Sequence, residues 1–305
     1  MTCMQKFSIA PNVSYVTLPH VEPPYPSMLD FLDRRFSQVG RETWQERLEN
    51  GRITDDSGKV ITIASNYIVN LRLCYYREVD EEPEIPFKET IVFRNEHIVV
   101  ACKPHFLPVI PSGPYVNECL LYRLKRNTGL GDLVPVNRLD RETAGLVLFS
   151  ADKRTRGLYG DLFRLARVRK LYEAYGVIPA DPHTTEWHIK SRIVTGSPWF
   201  LSKNEDGEPN ASTLIKLGEV KKGLGFFLLE PATGKQHQLR LHMTMIGSQI
   251  LNDFYYPILQ PEPKKGFNRP LQLLAKEMSF IDPVTGCDMN FVSERRLDPG
   301  IVPGQ

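Results

Sequence analysis

Long apolar runs are missing from this 305-residue chain. No stretch approaches the ~18 residues a helix needs to cross a bilayer, and mean hydropathy is −0.29. That excludes a membrane-spanning role, and no membrane partner is expected. Cysteine is scarce: Cys3, Cys74, Cys102, Cys119 and Cys287 are odd in number, widely spaced and without a CxxC pair, which excludes a disulfide framework and a thiolate zinc site. The start, MTCMQKFSIAPNVSYV, lacks the charged end, apolar stretch and small-residue cleavage site of a secretory signal. The expectation is a chain kept in a reducing cytoplasm. Repeats, low-complexity tracts and a glycine-rich phosphate loop are also absent. With 41% hydrophobic and 24% charged residues, the composition supports a packed core rather than disorder. At roughly 150 residues per domain the length suggests about two domains.

Net charge is only +2, yet it is unevenly spread. Residues 1 to 90 hold 10 Lys and Arg against 14 Asp and Glu, a balance of −4, whereas residues 121 to 175 hold 12 against 6, a balance of +6. A basic middle can mark a surface that meets phosphates. A solvated face is the plainer reading.

The acidic segment 77–87, REVDEEPEIPF, with its two prolines, reads as a linker. Before it, PSMLDFLDRRF and ETWQERLENGRI have helical spacing, and VITIA and IVNLRLCYY read as strands, giving a small α/β module over residues 1–76 with its core from about 25. After it comes one larger domain, 88–305. There ETIVFRNEHIVVACKP reads as two strands about an Asn95-Glu96 turn, LPVIPSGPY as a loop and NECLLYRLKR as a helix. GLVLFS reads as a buried strand, ADKRTRGLYGDLFRLARV as a basic helix, KLYEAYGVI and GFFLLEP as strands, and QHQLRLHMTMIG as a helix closed by Gly247. Helices and strands mix without a strict βαβ rhythm, which predicts an α+β fold with a mixed, mostly antiparallel sheet.

Two clusters could carry chemistry. In Arg138-Leu139-Asp140-Arg141-Glu142-Thr143, an acid and its bases share a tight loop between the apolar runs LVPV and GLVLFS. A carboxylate held there beside an arginine would stay ionised and desolvated, as a nucleophile or base requires. Taken alone, the hexapeptide is more plainly read as a surface turn laced with ion pairs. In Thr233-Gly234-Lys235-Gln236-His237-Gln238-Leu239-Arg240-Leu241-His242, a helix opens after a strand, so amides and cations converge as an anion site needs. His237 and His242, five apart, do not share a helical face and lack an HExxH frame, so no metal is expected and a structural role comes first for both.

Together these segments resemble the RluA family of pseudouridine synthases. VNRLDRETAGLVLFS looks like the family's HRLDxxTSG segment, KLYEAY like the strand bearing its tyrosine, and PATGKQHQLRLHMTMIGSQILNDFYY like GRxHQIRxHL. IVVACKPHFLPV and LQLLAKEMSFIDPVTG extend the match across roughly residues 90 to 295, in family order. The resemblance implies the pseudouridine synthase fold, with a catalytic cleft across the sheet, and an isomerase that converts uridine to pseudouridine in RNA.

It also implies roles. Asp140 matches the catalytic aspartate, Tyr172 the tyrosine packing on the target base, Arg240 the arginine paired with the aspartate, and Arg138 the arginine that helps hold the nucleotide out of its helix. Asp140 would attack or take a ribose proton; Tyr172 would retain the freed uracil and is a candidate to take the last proton from carbon 5. Arg138, Arg141, Lys235 and His237 are the expected RNA contacts of this domain. The isomerisation calls for no cofactor or metal. Two positions depart from the family: Asn137 stands where histidine precedes RLD, and Lys235 where arginine follows TG. Lysine lacks arginine's fork, so activity is expected with a different RNA preference or a weaker grip.

Residues 25 to 76 resemble, more faintly, the small RNA-binding module preceding many of these enzymes. Arg41, Arg47 and Arg52 are its candidate RNA contacts, against an acidic balance that disfavours tight phosphate binding. The leading module tilts the expected substrate toward ribosomal rather than transfer RNA, bound by a monomer. The alternatives are a catalytically inactive RNA-binding or assembly protein derived from the family, and a carboxylate hydrolase pairing Asp140 with Glu142.

Overall fold

The structure is a computed structural model that describes residues 8–300 apart from 38, 80, 182, 222 and 262–265; Cys3 lies outside the described residues. The chain divides into two compact units, Met1–Pro83 with Pro111–Asn117, and Glu84–Ile110 with Glu118–Gln305.

In the first unit, β1 (Ser8–Ile9) and β2 (Ser14–Thr17) precede α1 (Met28–Arg35) and α2 (Arg41–Glu49), and β3 (Ile53–Asp55), β4 (Arg72–Tyr75) and β5 (Glu78–Val79) follow. Ser27 caps α1 by accepting a hydrogen bond from the Asp30 amide, and the helix buries Met28, Leu29, Phe31 and Leu32. These pack with Trp44, Leu48, Ile53, Leu73 and Tyr75 under the antiparallel sheet β2-β4-β3. VITIA is not a strand. Val60 makes a single bridge to Thr54, after which Ser65 Oγ accepts from the Thr62 amide and the chain turns away.

The boundary between the two units falls within the 77–87 stretch, and two of its carboxylates, Glu78 and Glu82, find partners. β5 pairs with β1, Glu78 receives Arg47 and Arg52, and Glu82 Oε1 accepts from the Val116 and Asn117 amides at 2.6 Å. Residues to Pro83 belong to the first unit, joined by 111–117 from the proline-rich loop. From Glu84 the chain is part of the second unit, where Arg123 donates to the Ile85 and Phe87 carbonyls.

The second unit is one large sheet with helices. Its elements are β6 (Thr90–Arg94), β7 (Ile98–Lys103), α3 (Leu120–Thr128), β8 (Val134–Pro135), β9 (Ala144–Ser150), α4 (Arg156–Arg164), β10 (Arg169–Val177), β11 (Glu186–Thr195), β12 (Ser202–Glu205), β13 (Ala211–Lys221), β14 (Leu224–Pro231), α5 (Gln238–Met245), β15 (Leu273–Ile281) and β16 (Asp288–Val292). The strand order is β12-β11-β13-β14-β10-β15-β9-β7-β6, with β16 beside β15 and β8 beside β9. Only β15 and β9 pair in parallel among the described strands, so the fold is α+β with a mixed, mostly antiparallel sheet, as expected. Continuous burial of β7 and β9 accounts for their unbroken apolar sequence.

Two features of the sheet position the loop and side chains discussed next. Gly145, at φ +114°, follows the RLDRET loop, and a Cβ there would lie 2.2 Å from the Ala275 carbonyl oxygen. Only glycine admits that approach of β9 to β15. In β10 the register with β15 slips between Leu171 and Tyr172, a bulge of the kind that re-aims a side chain.

Candidate active site

Asp140 sits on the loop between β8 and β9, which buried groups hold from behind. Lys103, wholly buried at the end of β7, donates from Nζ to the carbonyls of Pro104 (3.0 Å), Leu107 (2.7 Å) and Arg141 (2.9 Å). Burial lowers its ammonium to about 7, against the pull of Glu142 and Asp140. His105 Nδ1 meets the Glu142 carbonyl at 2.7 Å, and the Thr143 amide donates to the Asp140 carbonyl. Asn137 Oδ1 accepts from the Leu148 amide at 2.8 Å. The residue in the family's histidine position therefore serves as a backbone tether.

Arg240 comes from α5, whose first residue follows His237 in the left-handed region at φ +56°. Its side chain is 1% exposed. Nε and Nη2 donate to the two oxygens of Asp253 at 2.8 and 2.5 Å. Nη1 makes no hydrogen bond but lies 3.5 Å from Asp140 Oδ2 and 3.9 Å from Glu142 Oε2. The Tyr255 and Tyr256 rings flank the guanidinium at 4.6 and 5.4 Å. Burial pulls the Arg240 guanidinium down, but Asp253, Asp140 and Glu142 outweigh it and raise it above its ordinary value. Burial likewise pushes the Glu142 carboxyl up, and Arg141 and Arg240 reverse the shift to below its usual range. Asp253 also accepts from the Tyr255 and Tyr256 amides.

Arg138, Asp140, Lys170, Tyr172, Lys235, His237 and Arg240 line one cleft of about 510 Å³, counting space open to solvent, with Leu139, Leu239 and Leu273 as apolar wall. Asp140 is not fully desolvated: its side chain is 26% exposed and reachable from the cleft. Burial, then the Asp140 charge, pushes the Tyr172 phenol far above its ordinary value. It stays protonated at neutral pH. His237 Nε2 is 3.9 Å from Asp140 and its Nδ1 meets the Tyr256 hydroxyl at 2.8 Å. Burial lowers its imidazole despite Asp140. His242, by contrast, is enclosed, its two nitrogens held by Ser191 and Thr213, and burial lowers it to about 4.

The structure thus brings together Asp140, Tyr172, Arg240, Arg138, Lys235 and His237. Arg141 is not among the cleft residues; its Nε donates to Glu142 at 2.8 Å. Arg47, expected at an RNA surface, is instead 6% exposed, 4.8 Å over the Trp44 ring and 3.5 Å from Glu78, so packing has consumed it. Arg52 pairs with the same carboxylate at 3.0 Å, and Arg41 with Asp30 and Asp33. Sequence reading assigned no part to Asp253, although a lone carboxylate inside ILNDFYY is the signal of a buried ion pair. Among the described residues no cluster of three or more His, Cys, Asp or Glu could hold a metal.

Residues 97–245 match the family model for RNA pseudouridylate synthases. An uncharacterized RNA pseudouridine synthase of Synechocystis is 31% identical over 234 residues, 75% of this chain and 79% of that one. The dual-specificity RNA pseudouridine synthase RluA of Haemophilus influenzae is 31% identical over 216 residues, 66% of this chain and 90% of that one. Among solved structures, human RNA pseudouridylate synthase domain containing 1 shares the fold, with a TM-score of 0.54 at 20% identity, covering 70% of this chain and 86% of that one. The chain belongs to the RluA family of RNA pseudouridine synthases, isomerases acting on RNA.

Proposed function

We propose that this enzyme isomerises a specific uridine of structured RNA, ribosomal ahead of transfer RNA, and that Asp140 starts the reaction on a flipped-out nucleotide. The observation that carries this is the triangle of Asp140, Tyr172 and the unbonded Nη1 of Arg240 around one cleft. Extruding a nucleotide lets an enzyme reach bonds that stacking protects. The bond between N1 and the ribose C1′ breaks, C5 bonds to C1′ in its place, and the C5 proton leaves, N1 gaining one; no atom is lost overall. The carboxylate of Asp140 serves either as nucleophile or as base toward the ribose. Arg240 keeps it charged by proximity in a site partly shut from water. The protonated Tyr172 retains the detached uracil by ring contact, leaving the C5 proton to another acceptor. Arg138 and Lys235 supply positive charge for the flanking phosphates.

Ribosomal RNA is favoured because a compact unit built mainly from the N-terminal residues accompanies the catalytic one, and its sequence resembles the small RNA-binding module that precedes many of these enzymes. The reaction is assigned to the reducing cytoplasm on cysteine usage and to a monomeric enzyme. The test is to map pseudouridines in total RNA from cells with and without the gene. One site or a small set is expected to vanish and names the substrate; an unchanged map overturns the proposal and favours an inactive RNA-binding relative.

A further inference from the structure

Trp199 is 75% exposed, and it stands at the tip of the β11–β12 hairpin, on a loop closed by hydrogen bonds between Gly196 and Leu201 and between Leu201 and Pro198. An indole this open presents a free π face to solvent. Its hairpin is fastened to the catalytic cleft by three separate links. The Gln236 side chain, beside Lys235 and His237, donates to the Phe200 carbonyl at 3.0 Å. The Phe200 ring lies 5.8 Å from Tyr255, the ring that covers Arg240. The Tyr256 hydroxyl, 2.8 Å from His237 Nδ1, accepts from the Ser202 amide and donates to the Ser202 carbonyl. The loop bearing Trp199 is thereby fixed to the wall of the cleft rather than free to wander.

We infer that Trp199 is a stacking platform for an unpaired RNA base beside the target uridine. This rests on the RNA-isomerase reading of the cleft and extends it to a neighbouring nucleotide. Trp199 stands 90° in ring plane, to within a few degrees, from Phe200, at 87° and 6.1 Å, so Phe200 braces the indole by its edge instead of stacking on it face to face. A base is the occupant that chemistry selects. The substrate is RNA, any base offers a π face, and extruding a uridine leaves its neighbours unstacked. A flat aromatic on a hairpin hydrogen-bonded through Gln236 to the segment that carries cationic Lys235 combines the two features that single-strand sites use.

Two measurements test this. Trp44 is 1% exposed and Trp187 is partly buried, so quenching of the exposed indole by a 12-nucleotide oligouridylate reports on Trp199. Quenching is expected in the wild type and lost in Trp199→Phe, which keeps affinity, whereas Trp199→Ala weakens binding at least about fivefold. With an RNA transcript carrying the mapped site, Trp199→Ala is expected to raise KM by a similar factor with kcat within about twofold, and Trp199→Phe to restore KM. Unquenched fluorescence with unchanged KM overturns the proposal while the isomerase reading stands. Wild-type protein that forms no pseudouridine overturns the isomerase reading, and the oligouridylate titration still judges Trp199. A lowered melting temperature in Trp199→Ala, with a KM that Trp199→Phe does not restore, overturns it too, as a structural role.

Discussion

Two arginines are buried among the described residues, one in each compact unit, and they are put to opposite uses. Arg47 lies against Trp44 and answers Glu78, with Arg52 on the same carboxylate. Its charge is spent on holding β5 to the rest of the first unit. Arg240 satisfies Asp253 with two nitrogens and leaves the third facing Asp140 across a cleft. Burial therefore does not mark an arginine as structural. What separates the two is a carboxylate partner that also meets open space.

The largest effect should come from Arg240→Met. It strands Asp253, 1% exposed, without its cation, and breaking such a pair costs about 3–5 kcal/mol. Thermal melts should show that loss, together with abolished pseudouridine formation. Arg240→Lys should retain more stability than activity, since lysine cannot engage Asp253 by a fork and face Asp140 at once. A fully active Arg240→Met enzyme would erase the distinction between the two arginines.

Arg47→Met sharpens it from the other side. Arg52 still answers Glu78, so the expected destabilisation is smaller, about 1–3 kcal/mol, with kcat/KM of the folded protein unchanged. A fall in RNA affinity without a change in melting would return Arg47 to the RNA surface that its sequence suggested.

The third prediction concerns pH and is smaller still. His105 and His242, both in the second unit, are lowered by burial from 6.5 to about 4. Between those values the unfolded chain binds more protons than the folded one, so stability falls as pH drops from 6.5 toward 4. The first unit has only the exposed His20 and should lose less from histidine over that window. Melts at pH 6.5 and 4.5 check this, and His242→Asn should remove part of the acid-side loss. An unchanged slope in that variant would mean His242 is charged in the folded state.

Much of this was legible in the residues. The apolar runs of β7 and β9 signalled the sheet, and the ordered segments around Asp140, Tyr172 and Arg240 named residues that the structure brings to one cleft. The hairpins from β11 to β13 were harder to read, since one face is polar and the buried face itself carries polar residues, Ser191 and Thr213, that interrupt the apolar alternation. Asp253 was hidden because its partner, Arg240, lies thirteen positions away, on a helix, with no motif connecting them. The boundary between the units does fall within the acidic 77–87 segment, but composition reports only its charge, not the amides of Val116 and Asn117 that Glu82 engages.

The central claim is that Asp140 performs the chemistry at a cleft the rest of the molecule has arranged. It is tested most directly by purified Asp140→Asn, compared with wild type on RNA from cells lacking the gene. The expected result is loss of pseudouridine formation by about 10³-fold or more, with RNA affinity and melting temperature near the wild type. Turnover within tenfold of wild type would contradict it.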